Sequence, residues 1–273
     1  MKRYLTLEEI HRSELEMLKI FRDFCVRHHL KYYLACGTLL GAVRHGGFIP
    51  WDDDVDVYMP RADYNYLIAH FNEEGPAGHR LISKEIDRRF YLDYAKIIDT
   101  ATVLIEKWAK YPIGVFIDIL PMDYYPKGLF IKLFDIRCRL LGRVYLSYDK
   151  LHDPNPLKFA FLYVYRLTVK CFYRSRKNLG QKVRALRARY FIKIPKNDCY
   201  TLMYRRFGYK PKLPAEWFEP AGSLVFEGET FAVPKEYHKY LTAAYGSDYM
   251  LLPPEESRVS RHNYECYLQD DGK

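Results

Sequence analysis

Four aspartates fall within five positions, at Asp52, Asp53, Asp54 and Asp56, shortly after a Gly37-Thr38 pair. Asp52, Asp54 and Asp56 alternate, and in an extended strand alternate side chains share one face. Carboxylates crowded on one face repel each other unless a cation sits among them. Hard oxygen ligands of this kind suit Mg²⁺ or Mn²⁺, a cation that would also hold the phosphates of a donor. Period two turns Asp53 the other way, toward solvent or loop hydrogen bonds. The run taken alone could be a solvated acidic turn, but it stands inside a strand pattern and beside Gly37-Thr38. That pair lies where a strand gives way to a helix. Glycine there lets a phosphate approach the backbone, and the first amides of the helix point at the anion.

A third carboxylate is expected from a neighbouring strand. Asp118 is a lone acid in the apolar run Phe116-Ile-Asp-Ile-Leu120, where an acid costs free energy unless it is paired or bound to metal. Asp99 and Asp123 are weaker candidates. Arg44 and Lys96 are candidate phosphate clamps, Lys96 because it falls within a strand; a structural ion pair is the other reading of each.

The elements that must position these residues follow from pattern. Thr6 and Glu9 form a capping box opening an amphipathic helix to about residue 29, with Ile10, Met17, Phe21 and Phe24 facing the core. Residues 31–36 read as a strand, 38–44 as a short helix, and His45-Gly46-Gly47 as a loop that Pro50 keeps from being helical. Strands are expected at 54–59, 91–98, 102–106 and 114–120, with a helix over 61–71 between the first two. Together they predict an α/β (α+β) core with a mixed sheet over residues 1–125. Residues 126–206 are rich in Lys, Arg, Leu, Phe and Tyr and read as a basic helical lobe. Residues 207–273 regain short strands, including 226–233, then a helix near 235–245, and are expected to pack back on the core.

The 273-residue chain has a formal charge of +9, which argues for an anionic partner. No nucleic-acid-binding signature accompanies it. Six scattered cysteines without a CxxC pair fit neither a disulfide framework nor a zinc site, so a reducing cytosol is expected. No apolar run approaches the ~18 residues of a spanning helix. The apolar stretch 157–173 is interrupted by Lys158, Arg166 and Lys170. It reads either as a helix lying on an anionic membrane face or as part of an ordinary lobe with a solvated basic side.

The run Gly37-Thr-Leu-Leu-Gly-Ala-Val-Arg-His-Gly-Gly-Phe-Ile-Pro-Trp-Asp-Asp-Asp-Val-Asp-Val57, followed by Met59, Arg61, Asp63 and Tyr64, resembles the LicD family. These are phosphorylcholine transferases of bacterial surface polymers, related to fukutin and placed in the nucleotidyltransferase-like superfamily. The stretch Phe231-Ala-Val-Pro-Lys-Glu-Tyr-His-Lys-Tyr-Leu-Thr-Ala-Ala-Tyr-Gly-Ser-Asp-Tyr-Met250, then Pro253-Pro254, resembles the family's C-terminal signature. The resemblance implies a nucleotidyltransferase-like core whose donor and metal site is Gly37, Thr38, Asp54 and Asp56, with Asp118 as third acid and Asp52 a weaker one. It implies a CDP-choline or other CDP-alcohol donor, CMP release, and a glycan acceptor such as a teichoic-acid or lipopolysaccharide precursor. Asp118 is the candidate proton acceptor. Trp51, Tyr58, Tyr94 and Trp108 are candidate faces for a quaternary ammonium ion, although packing is the commoner role of such rings. The basic lobe is a candidate acceptor surface, on a cytoplasmic protein peripheral to the inner membrane. A conventional nucleotidyltransferase that uses an NTP and releases pyrophosphate shares the same Gly-Thr and Asp pattern and stands as the alternative.

Overall fold

The computed structural model describes residues 2–87, 89–90, 92, 94–106, 112–124, 196, 199–202, 213–260 and 264–269. The chain divides into two compact units, one formed by Met1–Asp123 with Asn197–Lys273 and the other by Tyr124–Lys196. All elements of the site belong to the first unit.

Helix α1 (Leu7–Arg27) begins with the expected capping box: the Thr6 hydroxyl accepts from the Glu9 amide, and the Glu9 carboxylate accepts from the Thr6 amide. Its buried stripe is Ile10, Glu14, Met17, Leu18, Phe21, Phe24 and Cys25. Phe21 meets Tyr32 edge-on at 5.1 Å, and Phe24 lies 5.2 Å from Phe71 of α3 (Arg61–Glu74). Cutting either ring back to alanine would cost about 3–5 kcal/mol.

The sheet beneath α1 is mixed, in the order β1 (Tyr33–Leu34), β2 (Asp56–Pro60), β6 (Phe116–Tyr124), β4 (Ala95–Asp99), β3 (His79–Ile82). β2 and β6 run parallel, whereas β1–β2, β6–β4 and β4–β3 are antiparallel. The two central strands, β2 and β6, are apolar and almost wholly buried, as strands covered on both faces must be. α2 (Cys36–Arg44) joins β1 to the acidic segment.

The core is not complete by residue 125. Cys199–Leu202 forms β7, which pairs with β6 and with β8 (Leu213–Pro214), so the helical reading of 126–206 fails at this strand. Its Cys-Tyr-Thr-Leu sequence has strand character, and a partner edge decides between the two forms. The rest of that lobe, with 157–173, lies outside the described residues. β11 (Tyr264–Leu268) pairs with β5 (Thr102–Glu106), and a bridge joins Tyr4 to Tyr267. The 226–233 stretch resolves into a hairpin, β9 (Gly222–Phe226) and β10 (Glu229–Val233). Glu227 and Gly228 at its tip both have positive φ, the turn that matches strand twist. Helix α4 (Tyr237–Tyr245) follows. Among the described residues no helix is long and apolar enough to cross a membrane.

Two expected boundaries move. The strand read over 91–98 is confined to β4, and the strand read from residue 54 begins at Asp56. Residues 52–55 form a loop that begins with carbonyls engaged outside the sheet, Asp52 O bonding His11 Nε2 and Asp53 O accepting from Tyr264, and ends with Val55 O accepting from the Asp118 amide at 2.7 Å.

Candidate active site

Strand register assembles the centre. Asp56 on β2 sits opposite Asp118 on β6, and Asp118 sits opposite Lys96 on β4. Residues opposite one another in a ladder point to the same face, so the three side chains form a row across three strands. Lys96, 2% exposed, donates from Nζ to Asp118 Oδ1 at 2.5 Å, and its ammonium lies 3.1 Å from the centroid of Phe116. This contact is an ion pair, one of the two roles read for Lys96. Asp54 reaches the row from the loop: Asp54, Asp56 and Asp118 each offer a carboxylate oxygen, and these lie within 4.8 Å of one another.

The other two acids of the run go elsewhere, because a loop does not preserve strand alternation. Asp52 lies against the first turn of α2, where its Oδ2 is 2.3 Å from the place a Gly37 Cβ would occupy. The close approach that Gly37 permits is therefore to this carboxylate, an anion suited to a helix N-terminus. Asp53 is 4% exposed, not solvated, and accepts from the Ser260 hydroxyl at 2.6 Å. Thr38 secures the start of β2, its Oγ1 accepting from the Asp56 amide at 2.8 Å. Gly47 has a similar close contact. A Cβ there would collide with Glu227, whose Oε1 accepts from the Phe48 amide at 3.0 Å.

Burial and the charges of Asp54, Asp118 and Asp52 push Asp56 well above the usual carboxylate range. Glu14, 1% exposed on α1, is likewise raised, first by burial and then by Asp54, Asp53, Asp52 and Asp118; its Oε2 has no hydrogen-bond partner among the described residues. Tyr58 and Tyr240 share a hydroxyl contact at 3.0 Å, and Tyr58 is 3.3 Å from Cys36 Sγ. Cys36 adopts a positive φ as it opens α2, a strained backbone of the kind found beside functional sites. Tyr245 of α4 is 45% exposed, and its phenol is raised by surrounding protein and then by Cys36, Asp56, Asp52 and Asp54.

The remaining sequence candidates are not members of the carboxylate cluster. Asp123 is held bidentately by Arg61 at 2.7 and 2.8 Å, and Asp99 accepts from Ser13 and from the Ala101 amide. Arg44 donates to the carbonyls of Tyr249 and Leu251 and to His45. Tyr58 and Tyr94 are buried, Trp51 is half-buried, and Trp108 lies outside the described residues. Glu14, His11, Ser260, Tyr264 and Tyr245 were not singled out from sequence. Only Glu14 carried a local signal, an acid on the apolar stripe of α1.

A mixed α/β sheet carrying a close three-carboxylate cluster beside a short helix is compatible with a transferase of the nucleotidyltransferase-like class. Comparison with known proteins agrees: residues 29–162 match the family model "LicD/FKTN/FKRP, nucleotidyltransferase domain". Lipopolysaccharide cholinephosphotransferase LicD of Haemophilus influenzae is 33% identical over 97% of this chain and 98% of its own length. An uncharacterised protein of Rickettsia typhi is 35% identical over 59% of this chain and 52% of its own. Mannosyltransferase regulator 4 of Saccharomyces cerevisiae is 31% identical over 38% of this chain and 8% of its own. The chain belongs to the LicD family.

Proposed function

We propose that the protein transfers phosphocholine from CDP-choline to a hydroxyl of a lipopolysaccharide-type or other surface-glycan acceptor, releasing CMP. The observation that carries the chemistry is the cluster of Asp54, Asp56 and Asp118 oxygens within 4.8 Å. The choline and the glycan are supported by the full-length likeness to the Haemophilus enzyme. An all-oxygen donor set whose central acid resists ionisation through burial and then the charge of its neighbours fits Mg²⁺ or Mn²⁺. Bound there, the cation would neutralise charge on the transferring phosphoryl group.

The chain's own residues supply position and charge. Asp56 and Asp118 are fixed by strand register, Asp54 is brought up by the loop, and Thr38 and Gly37 seat Asp56 and Asp52. In the reaction the acceptor oxygen bonds to the phosphorus that bears choline, and the bond from that phosphorus to the oxygen bridging to CMP breaks. The hydroxyl proton passes to a carboxylate of the cluster; Asp118 has one oxygen already occupied by Lys96. Incubation of purified protein with CDP-choline, Mg²⁺ and an acceptor glycan is expected to release CMP and label the glycan. Pyrophosphate release from an NTP under the same conditions would replace this reading with that of a conventional nucleotidyltransferase. Parallel assays with CDP-ribitol and CDP-glycerol identify the alcohol.

A further inference from the structure

Next to the acidic loop lies a group of side chains with the opposite charge that, among the described residues, form no ion pair with a carboxylate. Arg44, at the end of α2, donates Nη1 to the carbonyls of Tyr249 and Leu251 at 3.2 and 3.1 Å. Arg258 donates Nε to the carbonyl of Pro253 at 2.9 Å. Both guanidiniums are thus moored to alternate carbonyls of one short stretch, 249–253. Arg258 also lies over the Trp51 ring, 5.7 Å from its centroid, and Trp51 meets His45 edge-on at 6.1 Å. His45 in turn accepts from Arg44 Nε at 3.0 Å. The contacts close a ring, Arg44–His45–Trp51–Arg258–(249–253)–Arg44, and Trp51 immediately precedes Asp52 of the acidic loop.

Among the described residues neither arginine forms an ion pair with a carboxylate, and Arg258 has Nη1 and Nη2 free of protein hydrogen bonds. Two half-buried guanidiniums that feel each other's charge are unfavourable in the unliganded protein. Burial and the nearby Arg258 charge hold Arg44 below its ordinary value, against the opposing influence of Tyr245 and Asp52. Carbonyls bind neutral donors as well, and a leucine would fill the space over Trp51. An incoming anion explains it: a phosphate group accepts from forked guanidiniums in good geometry.

We infer that Arg258 and Arg44, moored by 249–253 and floored by Trp51, form the subsite for the diphosphate of the nucleotide-linked donor. The inference rests on the donor reading above and adds side chains that grip the phosphates directly. It also gives the C-terminal segment a task, since Arg258 and its moorings come from beyond residue 248. The chain's +9 charge would favour the approach of such an anion over a longer range.

The test uses full-length protein and two probes, inorganic pyrophosphate and CDP, each titrated calorimetrically in the presence of Mg²⁺. Arg258→Gln keeps a donor for the Pro253 carbonyl while removing the charge, and Arg258→Lys keeps the charge while removing the fork. Wild type is expected to bind both probes; Arg258→Gln should bind each about tenfold or more weakly, with Arg258→Lys in between and melting temperatures unchanged. Equal affinity in wild type and Arg258→Gln overturns the inference. In steady state, a raised KM for donor with acceptor KM unchanged supports it. A raised acceptor KM with donor KM unchanged overturns it, assigning the pair to an acceptor phosphate. The pyrophosphate arm needs no turnover: if Arg258-dependent binding is seen without CMP release, the anion subsite stands and the reaction reading falls.

Discussion

The strand-borne acids and the loop-borne acids of this site are held by different means. Asp56 and Asp118 are placed by backbone register between two buried parallel strands, with Lys96 continuing the same row. Asp52, Asp53 and Asp54 lie in a loop whose shape depends on residues from remote parts of the chain: His11 on α1, Gly37 on α2, and Ser260 and Tyr264 near the end. The first pair is therefore a rigid platform, insensitive to single surface changes. The second group can be loosened by deleting one hydroxyl.

The largest effect should come from breaking the platform chemically. Asp56→Asn or Asp118→Asn is expected to lower kcat by about 10³-fold or more, the scale of losing several kcal/mol of charge stabilisation. Activity above a tenth of wild type in a CMP-release assay would move the centre away from these strands. Breaking the platform physically comes next. Lys96→Met leaves Asp118 buried without its ammonium and should cost about 3–5 kcal/mol in urea unfolding. The double variant Lys96→Met/Asp118→Leu should recover most of that loss.

A cation bound at the cluster should stabilise the fold by about 2.7 kcal/mol at a hundred times its Kd, read as a rise in melting temperature with Mg²⁺ or Mn²⁺. The pH dependence follows from the raised Asp56. A carboxylate whose folded pKa lies above its unfolded value of 3.8 favours the fold at pH below that value. That contribution is lost as pH rises through the raised folded value. The metal-free protein therefore loses stability from this group on going to neutral pH, and the Mg²⁺-induced shift should be larger at pH 7.5 than at pH 5.5. A shift independent of pH would count against Asp56 as a ligand.

The loop gives the smallest changes. Ser260→Ala removes one donor to buried Asp53 and is expected to cost about 1 kcal/mol. It should also reduce kcat without changing the melting response to Mg²⁺, because Asp53 is not among the clustered acids. Tyr264→Phe, which loses a 3.4 Å contact to the Asp53 carbonyl and the hydrogen bond of the phenol to the Asp53 side chain, should cost about 1 kcal/mol.

The same division governs what could be read from sequence. Asp118 was legible because an acid within Phe-Ile-Asp-Ile-Leu needs a partner, and α1 because its cap and stripe are local. Asp56 was legible as part of a strand pattern. Strand alternation does not extend to residues 52–54, where tertiary bonds override it. Glu14 announced itself only as one polar member of an apolar stripe. His11, Ser260, Tyr264 and Arg258 gave no sign, since each joins the site through a fold that brings it across the chain, and no spacing encodes that. The strand at Cys199–Leu202 was hidden by the basic, apolar composition around it.

The clasp between Asp53 and Ser260 spans 207 residues. At ribosomal speeds of about 5–20 residues per second, the acidic loop emerges on the order of 10–40 s before the serine that will hold it has been made. Through that interval the loop can be drawn in by α1, which precedes it, but it cannot be fastened. Maturation of this site is thus a last event in the birth of the polypeptide, and a nascent chain stalled before residue 260 would present the strand-borne acids in place and the loop-borne ones adrift.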